Sequence, residues 1–191
     1  MAYRFKKISE TAFNELQVEA GVLLTEFNPA SGTLDDTKIL CATTGGITAS
    51  CVPTFSDWAE DVDNAANNML EFKRIDDYDC TFTFTALSVT PAMIKLGIGA
   101  ADVDATAGSI TPRRQLKSTD FADIWWVGDV SDGGFVAVQL KNALSTGGFS
   151  IQSGKNEKGQ MSYTLTGHVS VDHQDDVPMI FYQSAGSGQQ H

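Results

Sequence analysis

Residues 161–171 alternate strictly in polarity. One face carries Met161, Tyr163, Leu165, Gly167, Val169 and Val171; the other carries Ser162, Thr164, Thr166, His168 and Ser170. Neighbouring side chains of an extended chain point to opposite sides, so this period demands a strand with one face in a core and one in water. A helix would scatter the same apolar positions around its axis. The period recurs in Cys80-Thr81-Phe82-Thr83-Phe84-Thr85, with phenylalanines on one face and threonines on the other. Residues 124–130 and 135–140 read as two more strands, and Ser131-Asp132-Gly133-Gly134 between them has hairpin chemistry. A second hairpin is expected from 38–42 and 47–52, turning at Thr43-Thr44-Gly45-Gly46; 21–27 and 149–153 are further strand candidates.

One helix interrupts the strands. Thr90 can cap it, Pro91 suits its first position, and Gly97 or Gly99 can end it, with Met93, Ile94 and Leu96 on its apolar side. At about two turns it depends on packing against a sheet rather than on intrinsic propensity. The chain has 191 residues and 42% hydrophobic content, enough for a core. The expectation is an all-β fold with one short helix, a β-sandwich or open barrel, in a single domain over 1–183, with 184–191 as a polar flexible tail.

The segment 53–68 breaks the pattern. It is too irregular for a strand, and connections longer than about 12–15 residues are uncommon in compact domains unless functional or disordered. Phe55, Trp58 and Val62 stand among Asp57, Glu60, Asp61 and Asp63. Aromatics in an acidic loop fit docking on another chain; the alternative is a short helix folded back on its own domain.

No constellation of catalytic residues emerges. His168, Asp172, His173, Asp175 and Asp176 offer metal-ligand types, yet on a continuous strand the two imidazoles point to opposite faces. Asp102-x-Asp104 and Glu60-Asp61-x-Asp63-Asn64 lack the glycine and closing glutamate of a calcium loop. Gly97-Ile98-Gly99 continues into Ala100-Ala101-Asp102 rather than a phosphate-binding sequence, and there is no nucleophile elbow. Cys41, Cys51 and Cys80 form neither a CxxC pair nor an even set, so they read as reduced thiols. Catalytic residues, metal and cofactor are all expected to be absent.

Charge narrows the partners. Thirteen Lys and Arg against 24 Asp and Glu give a net −11, and the only basic cluster is Arg4, Lys6 and Lys7. Such a chain does not grip phosphate backbones, which takes clustered cations. The basic start runs into Ser9, Glu10, Thr11 and Asn14 instead of an apolar signal segment, and no stretch approaches the ~20 apolar residues of a membrane span. Synthesis and folding in a reducing cytoplasm are expected, with no membrane partner.

In its order of segments the sequence resembles the major tail tube proteins of long-tailed bacteriophages. An N-terminal arm, 1–20, runs into Glu19-Ala20-Gly21-Val22-Leu23-Leu24, and Gly45-Gly46-Ile47-Thr48 leads into the acidic-aromatic loop. Leu70-Glu71-Phe72-Lys73-Arg74-Ile75, the Thr/Phe strand and the helix at Thr90-Pro91 follow. Gly147-Gly148-Phe149-Ser150-Ile151, Tyr163-Thr164-Leu165-Thr166-Gly167-His168 and Val177-Pro178-Met179-Ile180-Phe181-Tyr182 complete the resemblance.

The resemblance implies a structural virion protein that is not an enzyme, self-assembling into stacked hexameric rings. Those rings would form a tube through which DNA is ejected without specific binding. Its implied partners are further copies of itself and tail-assembly proteins such as the tape measure, terminator and tip proteins. Its location would be the virion tail, after assembly in the host cytoplasm. Phe55, Asp57, Trp58, Glu60, Asp61, Val62 and Asp63 would contact neighbouring subunits, as would the chain ends. Two alternatives are a tube protein of a contractile or secretion apparatus, and a β-sandwich carbohydrate-binding module using Trp125 or Trp126 as a platform.

Overall fold

The computed structural model describes residues 12–184. In chain order they form β1 (Gln17–Leu24), β2 (Thr43–Asp57), β3 (Lys73–Ala86), α1 (Pro91–Ile98), β4 (Ala101–Asp104) and β5 (Ser109–Pro112). Then come β6 (Ala122–Val130), β7 (Phe135–Ser145), β8 (Ile151–Gln152), β9 (Gln160–Thr166) and β10 (Met179–Ser184). The fold is all-β with one short helix, and every named strand pair is antiparallel.

The main sheet runs β1-β6-β7-β9-β3-β2, with β10 on β7 and β8 on β9; β4 and β5 pair separately. β7 is the element that joins its two halves. Residues 135–140 pair with β10 along one edge, and Leu144 and Ser145 beyond them pair with β9. The halves enclose one core. Leu23, Ile124, Val138, Leu140 and Met179 from the first meet Phe82, Phe84, Met161, Tyr163 and Leu165 from the second. These are the inward positions of the period-two pattern, each contributing about 1.5–3 kcal/mol of apolar burial. Phe84 and Tyr163, cross-strand partners, stack with centroids 5.1 Å apart and planes 9° from parallel.

A second cluster covers the opposite face of β1, β6 and β7. Leu24, Trp125 and Ala137 are joined there by Phe27 from the segment that follows β1. Trp125 and Trp126 therefore serve different layers: Trp125 lies in this outer cluster, and Trp126 packs against the main core.

The helix follows its sequence cues. The Thr90 hydroxyl accepts from the Met93 N–H at 3.2 Å, Pro91 opens the first turn, and Gly99 ends the helix at φ +81°. Met93 and Gly97 are its buried residues. A Cβ at Gly97 would stand 2.9 Å from Phe149 and 3.0 Å from Tyr163, so glycine lets the helix lie against the sheet. The Tyr163 hydroxyl donates to the Met93 carbonyl at 2.9 Å, fastening α1 to β9. After α1, Arg113 bridges Asp102 and Asp120, tying the β4–β5 ribbon to the turn before β6.

Several expectations are corrected. The hairpin of 38–42 and 47–52 does not form, because Gly45 and Gly46, at φ +75° and +85°, make a bulge inside β2 rather than a turn. β2 pairs instead with β3 over its full length, from Thr43 opposite Ala86 to Asp57 opposite Lys73. Residues 53–57 thus belong to a strand, and only the rest of 53–68 is irregular. Pro53 is compatible with β2 as an edge strand, where its missing N–H costs no ladder bond. The alternation at 161–171 outruns its strand: β9 stops at Thr166, and residues 171–173 form a 3-10 turn. At 149–153 only Ile151 and Gln152 are extended in pairing. The expected arm at 1–20 includes residues 17–20 of β1, while its residues 1–11 lie outside the described residues; so does the expected tail, apart from Ser184 in β10.

Candidate assembly surface

The β2–β3 hairpin runs past the last strand that pairs with it. β9 covers only Thr81–Ala86 of β3, so from Asp79 outward the two strands form a ribbon with no third strand, about 20 Å long over six residues. Two-stranded ribbons are at best marginally stable alone. This one nonetheless carries Val52, Phe55, Trp58, Val62, Leu70, Phe72 and Ile75 exposed. Seven of the nineteen large apolar side chains exposed among the described residues fall in these 24 residues. This concentration of exposed apolar side chains makes the arm the candidate docking surface.

The tip is ordered by its own polar groups. Asp57 accepts from the Asn68 N–H at 2.5 Å and from the Ala59 N–H at 3.0 Å, closing the irregular segment between them. Those two N–H groups, Asn68 first, hold the Asp57 carboxyl below the usual aspartate range. Asp61, Asn64 and Asn68 all sit at positive φ near +60°, the left-handed region that Asp and Asn tolerate best among residues with a side chain. The Lys73 ammonium donates to the Asn68 side-chain oxygen at 3.1 Å. Ala59 is buried beneath this turn, and the Trp58 N–H donates to the Phe72 carbonyl at 3.1 Å, extending the ribbon by one rung.

All seven residues singled out in the sequence lie on this arm. Phe55 and Asp57 end β2, and Trp58, Glu60, Asp61, Val62 and Asp63 form the tip. The returning strand was missed. Arg74 lies over the Trp58 ring at 3.8 Å from its centroid, and Lys73 over the Phe55 ring at 5.8 Å. Only the register of β2 against β3 reveals these pairs, so no local motif could have shown them.

The other candidates take structural places. His168 Nδ1 lies 3.2 Å from the Asn142 carbonyl and its ring meets Phe121 edge-on, while His173 faces Asp176 at 3.5 Å. Asp102 is held by Arg113 and Lys117. Among the described residues no three His, Cys, Asp or Glu side chains converge as metal ligands. Cys51 and Cys80 face each other across β2 and β3 with sulfurs 3.5 Å apart as free thiols, and burial pushes Cys80 up to about 12. Trp125 is buried and so offers no platform for a sugar ring, while Trp126 is half-buried and donates its Nε1–H to the Ala20 carbonyl at 3.1 Å.

No helix among the described residues is long and apolar enough to cross a membrane. Comparison of the sequence with protein-family models and with curated proteins found no match.

Proposed function

We propose that this chain is a structural subunit that associates head to tail, stacking hexameric rings into the tail tube of a long-tailed phage, a conduit for DNA. The observation that supports the reading is the β2–β3 arm: an ordered ribbon that keeps seven large apolar side chains largely exposed among the described residues. A patch on one part of a molecule that docks elsewhere on the next copy makes a heterologous contact, which closes into rings or propagates as a filament. The net charge of −11 fits a wall that passes DNA without holding it, because phosphate binding depends on clustered cations. The partners of such a tube are further copies of the chain and the proteins that start, measure and terminate a tail.

Electron microscopy of the concentrated protein tests this. Rings or hollow tubes of uniform diameter are expected, with or without an added tail-tip initiator. A chain that stays monomeric at every concentration under both conditions would refute the proposal.

A further inference from the structure

We infer that Cys51 and Cys80 are a modification site: a small-molecule disulfide oxidises them to a cross-strand bond that closes the root of the arm. The inference stands on the β2–β3 ladder and is independent of the assembly reading.

The two residues are direct partners in the register of β2 and β3, so their side chains leave the same face of the sheet, with sulfurs 3.5 Å apart. The kind of pair they form decides whether a bond fits. An antiparallel ladder alternates pairs that exchange both backbone hydrogen bonds with pairs that exchange none, and the second kind is closer, at about 4.5 Å between Cα atoms. The Cys80 carbonyl accepts from the Gly167 N–H at 2.9 Å, on the β9 side. A strand residue directs its N–H and C=O to one side, so the Cys80 backbone turns away from β2 and its pair with Cys51 is of the closer kind. Pro53, opposite Tyr78 and two residues from Cys51, has the same parity; its nitrogen points away from β3, where no ladder hydrogen is needed. A separation of about 4.5 Å lies within the range of about 4.4–6.8 Å that disulfides span, so rotation of the two side chains joins the sulfurs. Cys41 precedes β2 and faces no cysteine in this register.

Burial sets the order of the chemistry. Cys80 is buried, and burial first, then its hydrogen bond to Cys51, pushes its thiol up to about 12. Cys51 is half-buried and is the one of the two that a reagent reaches. Its thiolate attacks one sulfur of the small-molecule disulfide, breaking that S–S bond and leaving a mixed disulfide on Cys51. The Cys80 sulfur then gives up its proton and attacks Cys51, forming the cross-strand bond and releasing the second half of the reagent. Each released thiolate takes up one proton, so the chain loses two electrons and two protons and the reagent leaves as two thiols.

The position gives the bond its effect. Cys80 immediately precedes Thr81, the first residue of β3 that β9 covers, so the bond lies where the third strand ends. It encloses residues 52–79, the whole arm with its seven exposed apolar side chains. A two-stranded ladder can slip by two residues and keep its faces; a bond at the root fixes one register. A reducing compartment keeps both thiols free, so the bond is added to an arm that has already folded.

Redox equilibration of the intact chain tests this. Wild-type protein under native conditions is equilibrated with reduced and oxidised glutathione, quenched with acid and mapped by mass spectrometry without reduction. The expected product is a single chain that has lost two hydrogens, with Cys51 and Cys80 in one linked peptide and Cys41 free. In a Cys41→Ser background, the folded chain is expected to be half-oxidised at a ratio of squared reduced to oxidised glutathione at least about tenfold higher than the same chain unfolded in urea, because the fold already holds the sulfurs together. Three results would overturn the inference: cysteines that stay reduced or stop at the mixed disulfide, a link that involves Cys41 or joins two chains, or a folded chain no easier to oxidise than the unfolded one. The mapping uses the wild-type chain, so it decides the matter even if Cys41→Ser fails to fold.

Discussion

Replacing Trp58 by alanine separates an interface residue from a core residue. Trp58 is 59% exposed in the folded chain. A tryptophan contributes roughly 200 Å² when fully covered, so docking removes about 120 Å² from water. At about 25 cal/mol per Å² that is about 3 kcal/mol for each contact, or roughly 150-fold in the concentration needed to assemble. Within the monomer, the part of the ring already covered, with Arg74 over its face, contributes about 1–2 kcal/mol. Trp58→Ala should therefore lower the urea midpoint modestly while raising the critical concentration, read by light scattering or sedimentation, about a hundredfold. Two results would refute the reasoning. Assembly at the wild-type concentration would remove Trp58 from the interface, and a loss of about 3 kcal/mol in monomer stability would place it in the core.

Two further perturbations address the scaffold and the tip. The Asp120 side chain is buried, accepting from Arg113 Nη2 at 2.6 and 2.9 Å and from the Lys117 N–H at 2.8 Å, so Asp120→Ala should cost about 3 kcal/mol in urea unfolding by stranding the guanidinium; a cost under about 1 kcal/mol would show that Arg113 finds Asp102 alone sufficient. Asp57 has a depressed pKa, so its ionised form stabilises the tip at pH values above its ordinary 3.8, and that contribution is lost as pH falls through the lower folded value. Trp58 fluorescence should report the tip loosening only as pH falls below about 3.8, and Asp57→Asn should abolish that transition; an unchanged transition would assign it to another group.

The fold was legible where one face of a strand is buried and the other wet. β3, β6, β7, β9 and α1 announce themselves through alternation, turn glycines and a capped first turn. The arm was harder because its strands have two wet faces, so residues 53–57 and 73–75 carry no period-two contrast. Their pairing is long range and its register shifts twice, at Gly45–Gly46 and again within the arm, where Asp76 is the extra residue between the Thr54–Asp77 and Phe55–Ile75 pairs. At 161–171 the pattern persisted beyond the strand because alternation records polarity, whereas a strand also needs a partner; the β3 ladder to β9 reaches Thr166 and stops. The seven proposed contact residues were found through their composition, an aromatic-acidic mixture too apolar for a solvated loop.

The strand edges bear on how copies would join. β1 and β2 end the main path of the sheet, and open edges invite strand addition. Both edges are interrupted. β1 carries the irregularity at Val18–Val22, and β2 carries the Gly45–Gly46 bulge and Pro53, whose nitrogen has no hydrogen to donate. Continuous pairing along either edge is therefore broken within a few residues, which limits the open-ended β-association that would compete with ordered rings. Side chains then have to provide the selectivity, and the concentration of apolar groups on the arm supplies it. A patch of side chains fits its partner surface in one orientation, whereas a backbone ladder can slip by two residues and still pair. Under the proposed assembly, a subunit added repeatedly at one angle gains more from side-chain fit than from the ladder, so the interrupted edges and the exposed apolar groups of the arm serve the same end.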